Sequence, residues 1–315
     1  MRAAVIREGK LEVDDRPTPS PVGSEVLVAV GGAGVNRADL LQLKGMHPAP
    51  HGWPADIPGL EFAGTVRAVG ERVQSVAEGD RVFGILGGGG HATELITLED
   101  LCVRVPDTLD LVEAGGIPEV FITAHDAMVT QAGLKSGERV LIHGVGSGVG
   151  TAAVQIARAL GASTVGTTRT ADKLDRAVGL GLGEAVLAGD DMAERIGEVD
   201  VVLDLVGGHY VHVDVAVCRP QGRIVLVGLL AGAAVDLDLG TMLRKRLTLT
   251  GTVLRARPEW QKVQATDAFA RGVVPLFEKG VLRTVVDRVM PLDDVAAAYE
   301  LLSSNKTFGK LIISM

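Results

Sequence analysis

Residues His143–Gly150 read HGVGSGVG, with the apolar run RVLI (139–142) leading in and TAAVQIARAL (151–160) leading out. A strand that passes through small residues into an amphipathic helix exposes backbone N–H groups at the helix's positive end, where a pyrophosphate can sit without meeting side chains. Gly144, Gly146, Gly148 and Gly150 supply that space around Val149, and Ser147 offers a hydroxyl. The glycines do not fall in the usual G-x-G-x-x-G spacing. Taken alone, the loop therefore reads either as a dinucleotide turn or as a glycine-rich packing turn, and its flanks favour the first.

Outward from the loop, strand-like and helix-like segments alternate: STVGTT, ADKLDRAVGLG, EAVLAG, MAERIG, VDVVLDLVGG, RIVLVGLL and RLTLTGTVL. Strands separated by such helices need right-handed crossovers, so the pattern predicts an α/β doubly wound parallel sheet of Rossmann type over residues 120–256. Before it, short β-type runs broken by Gly, Pro and Asp predict an irregular, mainly antiparallel, barrel-like domain. The change of pattern comes near Leu111. After RARPEW, a helix over Glu259–Gly280, the run VVDRVMPL, the helix DDVAAAYELLSS and the strand GKLIISM can return to complete it. The domains expected are 1–119 with 257–315, and 120–256.

A chain of 315 residues with 47% hydrophobic content can support a core in each domain. The net charge of −8 gives no overall attraction to nucleic acid, so no nucleic-acid partner is expected. The two cysteines, Cys102 and Cys218, lie far apart without metal-type spacing, which suits a reducing, cytoplasmic setting. No apolar run approaches the roughly 18 residues of a membrane span, and the N-terminus turns acidic before a leader core forms.

The second strand bears on the cofactor. An NAD site usually carries an acid near its end, but STVGTT closes on Thr168 and Arg169, with Lys173 following. Hydroxyl and cationic groups suit a 2′-phosphate, which a carboxylate would repel, so NADPH is expected ahead of NADH. The plain alternative is that Arg169 and Lys173 are solvated residues at a helix start.

The stretches GAGVNRADLLQLKG, IPGLEFAGTVRAVG, EGDRVFGIL, GGHATELI, PEVFITAHDAM, DLVGG, GRIVLVG, LTLTGTVLR and GKLIIS, with the glycine loop, run in order along nearly the whole chain. Together they resemble the zinc-independent, zeta-crystallin-like quinone oxidoreductases of the medium-chain dehydrogenase/reductase superfamily. That resemblance implies a GroES-like catalytic domain with an inserted Rossmann domain. Zinc alcohol dehydrogenases of the superfamily carry a cysteine where this chain has Asn36, and a histidine before glutamate where it has Leu60 and Glu61. Of the four-cysteine structural zinc lobe only Cys102 falls in the region, whereas such a site needs four ligands. No zinc is expected, and without that Lewis acid the fitting acceptors are already electrophilic: a quinone, or an activated alkene or enone.

The resemblance also implies roles. Asn36 would donate its amide to the acceptor or nicotinamide, unless it is a turn amide. Thr123 would face the cofactor, unless it is an ordinary helix residue. Val206, Gly228, Leu229, Leu230, Val253, Leu254 and Arg255 would lie along the cofactor through their backbone. His47 stands where relatives often carry tyrosine and could protonate the reduced acceptor, or could be a loop residue beside Pro48. His51 and Trp53 share that loop, a candidate substrate rim, and His143 is expected to pack at its strand end. A family aromatic over the adenine-ribose pocket corresponds to Ala188. The rival activities are an enoyl-thioester or alkenal reductase and a non-catalytic NADPH-binding sensor or interaction protein. An edge strand near 247–253 implies a homodimer, unless Arg244, Lys245 and Arg246 keep that edge solvated.

Overall fold

The computed structural model describes residues 1–315, which divide into two compact units: Met1–Ile122 with Leu254–Met315, and Thr123–Val253. The first unit thus ends three residues later and resumes three residues earlier than the sequence pattern suggests, because the helix Pro118–His125 runs through the boundary. The strands in chain order are β1 (Arg2–Arg7), β2 (Lys10–Asp15), β3 (Glu25–Val35), β4 (Glu61–Val69), β5 (Arg81–Ile85), β6 (Glu94–Leu98) and β7 (Cys102–Arg104). Next come β8 (Arg139–His143), β9 (Ser163–Thr168), β10 (Glu184–Leu187), β11 (Val199–Asp204), β12 (Cys218–Leu226) and β13 (Thr248–Gly251), and finally β14 (Val286–Pro291) and β15 (Lys310–Ser314).

In the first unit the sheet order is β14-β15-β3-β4-β5-β7, with β6 also paired to β3, and every pairing is antiparallel except β14–β15. Strand β15 lies inside this sheet, with Leu311 opposite Val35 and Ile312 opposite Gly34, so the C-terminal tail completes the unit. Val26, Val28, Val30, Phe62, Val66, Val82 and Leu95 form one of its cores.

The second unit is a six-stranded parallel sheet in the order β10-β9-β8-β11-β12-β13, the doubly wound arrangement. Val140, Leu141 and Ile142 of β8 are fully buried, as central strands covered on both faces must be. The register aligns His143 with Thr167, Ile142 with Leu203, and Asp204 with Leu226, so the strand ends that carry the candidate nucleotide turns share one edge of the sheet.

Two expectations need correction. The helix expected over Glu259–Gly280 is two helices, Glu259–Gly272 and Val274–Glu278. Pro275 explains the break, since it lacks an N–H and its ring clashes with the carbonyl one turn back. The strand expected from RLTLTGTVL is only β13, and residues 252–253 have already left it.

Candidate cofactor and acceptor sites

Gly144 leaves β8 with φ +68, a conformation that favours glycine, and turns the chain toward the helix Gly148–Ala159. Ser147 caps that helix: its Oγ accepts from Gly150 N at 3.0 Å, and Thr151 N donates to Ser147 O at 2.8 Å. A Cβ on Gly150 would lie 2.5 Å from Gly144 O and 2.7 Å from Val145 Cα, so the helix can approach the turn this closely only through glycine. The irregular spacing is thereby accounted for. Gly144 and Gly150 are fixed by backbone geometry, while position 147 is a capping position that serine fills. First-turn N–H groups have no partner inside the helix, and this cradle of small residues fits an anionic pyrophosphate.

Strand β9 ends beside the loop, with Val145 N donating to Thr167 O at 3.0 Å. Thr168 is half-buried, Arg169 is exposed and Lys173 is half-buried on the helix Ala171–Val178, with no acid at the strand end. Ala188 N donates to Thr168 O at 2.9 Å, which places Ala188 against this same end. Arg169 is also close enough to the Tyr210 phenol to oppose the upward push of burial on it. At the end of β11, Asp204 Oδ1 accepts from Val206 N at 2.7 Å and Gly207 N at 2.9 Å. Its carbonyl accepts from Val227 N at 2.8 Å and Gly228 N at 3.3 Å. Leu229, Leu230 and Val253 expose large apolar side chains.

In the first unit, Asn36 begins the helix Arg37–Leu43, and its backbone N–H donates to the buried Asp39 carboxylate at 2.7 Å. Its side-chain amide donates to Glu61 Oε1 at 2.8 Å and to Gly34 O at 3.3 Å, and its Oδ1 accepts from Lys310 Nζ at 2.7 Å. Lys310 Nζ also reaches Glu61 Oε1 at 2.6 Å and Val35 O at 3.2 Å. Both N–H groups of the amide are thus engaged within the protein, and donation to an acceptor would require releasing one. Where zinc-dependent relatives gather ligands, this chain has a carboxylate already neutralised by an internal lysine. No group of three or more His, Cys, Asp or Glu side chains converges as a metal site.

Glu61 Oε2 accepts from Glu119 N at 2.9 Å. Burial, with the charge of Glu61 added, pushes the Glu119 carboxyl up to about 8, so it holds its proton at neutral pH. The His91 imidazole is fully buried, which lowers its pKa. As a neutral ring it donates from Nε2 to Gly34 O at 3.2 Å and accepts at Nδ1 from Tyr299 OH at 3.1 Å.

His47 is half-buried, and burial first, then the Arg255 charge, lowers its pKa. Both effects favour the neutral imidazole. Arg255 is 3% exposed, and its side chain is occupied inside the first unit. Nε donates to Gly87 O at 2.8 Å, Nη1 to His47 O at 2.7 Å and Nη2 to Gln42 Oε1 at 2.6 Å. Gln42 Nε2 in turn donates to Ala55 O at 3.1 Å, and Lys262 Nζ sits 5.6 Å from the Trp53 ring centroid. The guanidinium is therefore a clamp on the loop of His47, His51 and Trp53. Thr123 is half-buried on the helix Pro118–His125. Lys310, Glu119 and the Arg255 side chain went unread in the sequence. The one signal for them was a lysine opening an apolar terminal strand, a residue that is almost never buried without a partner.

Residues 23–107 match the alcohol dehydrogenase GroES-like domain family, and residues 148–269 match the zinc-binding dehydrogenase family. A quinone oxidoreductase of Sus scrofa is 32% identical over 308 residues, covering 95% of this chain and 92% of the relative. The chain belongs to the quinone oxidoreductase family of the medium-chain dehydrogenases/reductases. It is an oxidoreductase of that family, with the Rossmann unit that the sequence pattern predicts and the GroES-like unit that the resemblance implies. Among solved structures, an NAD-dependent alcohol dehydrogenase superposes with a TM-score of 0.89 at 28% identity over 100% of both chains. The Escherichia coli quinone oxidoreductase complexed with NADPH superposes with a TM-score of 0.87 at 25% identity, covering 100% of this chain and 99% of that one. These two neighbours differ in the nicotinamide named for them. Cofactor choice here is therefore argued from this chain's own residues. No helix is long and apolar enough to cross a membrane.

Proposed function

We propose that this oxidoreductase takes NADPH and delivers hydride to a quinone or an activated alkene or enone without zinc. The observation that carries the reading is the buried Lys310–Glu61–Asn36 cluster: its carboxylate already has a cation, and its amide supplies no anionic ligand. Without a Lewis acid, acceptors that spread negative charge over oxygen on reduction need the least help. When bound, the reduced nicotinamide supplies the hydride. The protein's part is binding and orientation.

In this reading the N–H groups at Gly146, Gly148 and Val149 hold the pyrophosphate, with Gly144 and Gly150 giving access. Thr168, Arg169 and Lys173 hold the 2′-phosphate. The turns at Val206, Gly228–Leu230 and Val253–Arg255 orient the nicotinamide. Asn36 takes part in binding the acceptor, Thr123 faces the cofactor, the clamped loop of His47 and Trp53 limits water, and the proton that completes reduction comes from solvent.

Strand β13 is the edge of its sheet, paired on one side to β12. An unpaired edge calls for cover, and pairing with a second copy would extend the sheet in a homodimer. A monomer in sedimentation at micromolar concentration would overturn that part. The function itself is tested by following NADPH consumption with a panel of quinones, enones and enoyl-thioesters. Turnover of quinones or enones is expected. Turnover confined to enoyl-thioesters would move the protein to that reductase class, and stoichiometric NADPH binding with no turnover would make it a binding protein.

A further inference from the structure

The second unit buries a chain of polar side chains that no step above uses. His143, at the end of β8, places Nδ1 2.7 Å from Thr167 Oγ1 and Nε2 2.8 Å from Asp214 Oδ1. All four of His143, Thr167, Asp204 and Asp214 are fully buried. Asp204 Oδ1 is taken by Val206 N and Gly207 N, and Asp214 Oδ1 by His143. Each carboxyl is left with one buried oxygen, Asp204 Oδ2 and Asp214 Oδ2, that has no donor. The two carboxyl groups are close enough for each to act on the other's titration, and a single proton between them would satisfy both orphaned atoms.

We propose that Asp214 is a positioning residue held as the neutral acid, donating from Oδ2 to Asp204 Oδ2 and thereby fixing the turns at Val206 and Gly228. With that proton in place every donor points the same way. Thr167 Oγ1 donates to His143 Nδ1, His143 Nε2 donates to Asp214, Asp214 donates to Asp204, and Asp204 accepts from the Val206–Gly207 turn. The chain ties the end of β9, the residue preceding the glycine loop and the end of β11 into one unit. These are the strand ends to which the nucleotide is assigned, and the inference rests on that reading.

The electrostatics agree with the geometry. Burial pushes Asp214 up to about 8 against the lowering effect of its contact with Asp204, and burial, then the Asp214 charge, pushes Asp204 up to about 6 although the Gly207 and Val206 N–H groups act the other way. Burial pushes His143 down to about 4, so the ring is neutral and makes one bond as donor and one as acceptor. The other titratable groups facing the pair are the Tyr210 phenol, whose ring meets His143 edge-on at 4.8 Å, and the Cys218 thiol, which burial and then Asp214 push up to about 12. Arg169 acts on Tyr210, and Lys245 donates to the carbonyls of Val215 and Ala216 at the end of the Asp214 helix. None of these cations donates to either orphaned oxygen.

The test combines NADPH titration from about pH 7 to 9.5 with infrared spectroscopy of the protein without cofactor. Losing the shared proton sets two buried carboxylates against each other, so wild-type affinity is expected to fall about tenfold over that range. Asp214→Asn keeps an acceptor for His143 and an N–H for Asp204, so it is expected to match wild type near pH 7 and to lose the fall. At neutral pH the wild-type minus Asp214→Asn difference spectrum should show a carboxylic-acid carbonyl band over and above that of the protonated Glu119, which both proteins share. The same pH profile in both proteins, or no difference in that band, overturns the inference. If wild type binds no NADPH at any pH, the proposed function falls, and the infrared difference band alone still decides whether the pair holds a proton.

Discussion

Lys310 Nζ lies 2.6 Å from Glu61 Oε1 with both side chains almost completely buried, across 249 residues of sequence. The lysine opens β15 and the glutamate opens β4, and both strands neighbour β3. The pair thus fastens the C-terminal tail to the body of the first unit. Removing one partner leaves an uncompensated buried charge. Lys310→Met should cost about 3–5 kcal/mol, read as a lower denaturation midpoint, and adding Glu61→Gln should recover part of the loss. A single variant as stable as wild type would show that the pair carries no net stabilisation.

Glu119 makes stability depend on pH in the opposite sense to an ordinary surface carboxylate. Its carboxyl ionises near 4.5 when unfolded but is pushed up to about 8 in the folded chain. Between those values the folded state holds a proton that the unfolded state has released, so this contribution falls as pH rises and is fully lost above about 8. Glu119→Gln should therefore melt close to wild type near about pH 4.5 and above it near about pH 8.5. Parallel pH profiles for the two proteins would show that Glu119 ionises normally.

What was legible in the sequence was what repeats locally. The alternation of apolar strands with helices determined the parallel sheet, and the end of β9 displayed its cations without any tertiary information. The division of the 259–280 segment is hidden because its periodicity continues across Pro275, and only the proline's steric demand on the preceding turn marks the break. The polar clusters were illegible for a different reason. Lys310 with Glu61, Arg255 with Gln42, and Asp204 with Asp214 join different elements, and the first two pairs span 249 and 213 residues. No periodicity encodes such pairs. Arg255 in LTLTGTVLR looks like a residue following a strand, and only the fold shows its guanidinium buried against another loop.

In the proposed function, that burial would make the Arg255 side chain act on the acceptor through the loop it holds. Lysine can keep the charge, but it cannot donate in three directions to Gly87 O, His47 O and Gln42 Oε1. Losing a charge-assisted hydrogen bond costs enough to loosen the loop, so Arg255→Lys should raise the acceptor KM by about tenfold. NADPH affinity should stay near wild type. An equal loss of cofactor and acceptor binding would place the effect on the fold as a whole.

The cofactor assignment turns on the end of β9, where Thr168 and Arg169 stand without an acid and Lys173 follows on the next helix. A 2′-phosphate carries between one and two negative charges near neutral pH, and two cations beside it supply attraction that NADH cannot use. Arg169→Ala combined with Lys173→Ala should weaken NADPH by roughly a hundredfold, if each charge-assisted contact contributes about a factor of ten, while NADH affinity changes by less than about threefold. Side-by-side titration of both nucleotides, with circular dichroism to confirm the fold, measures the difference. Equal losses would mean that the two cations serve the helix start, and the preference for NADPH would then have to come from elsewhere in the second unit.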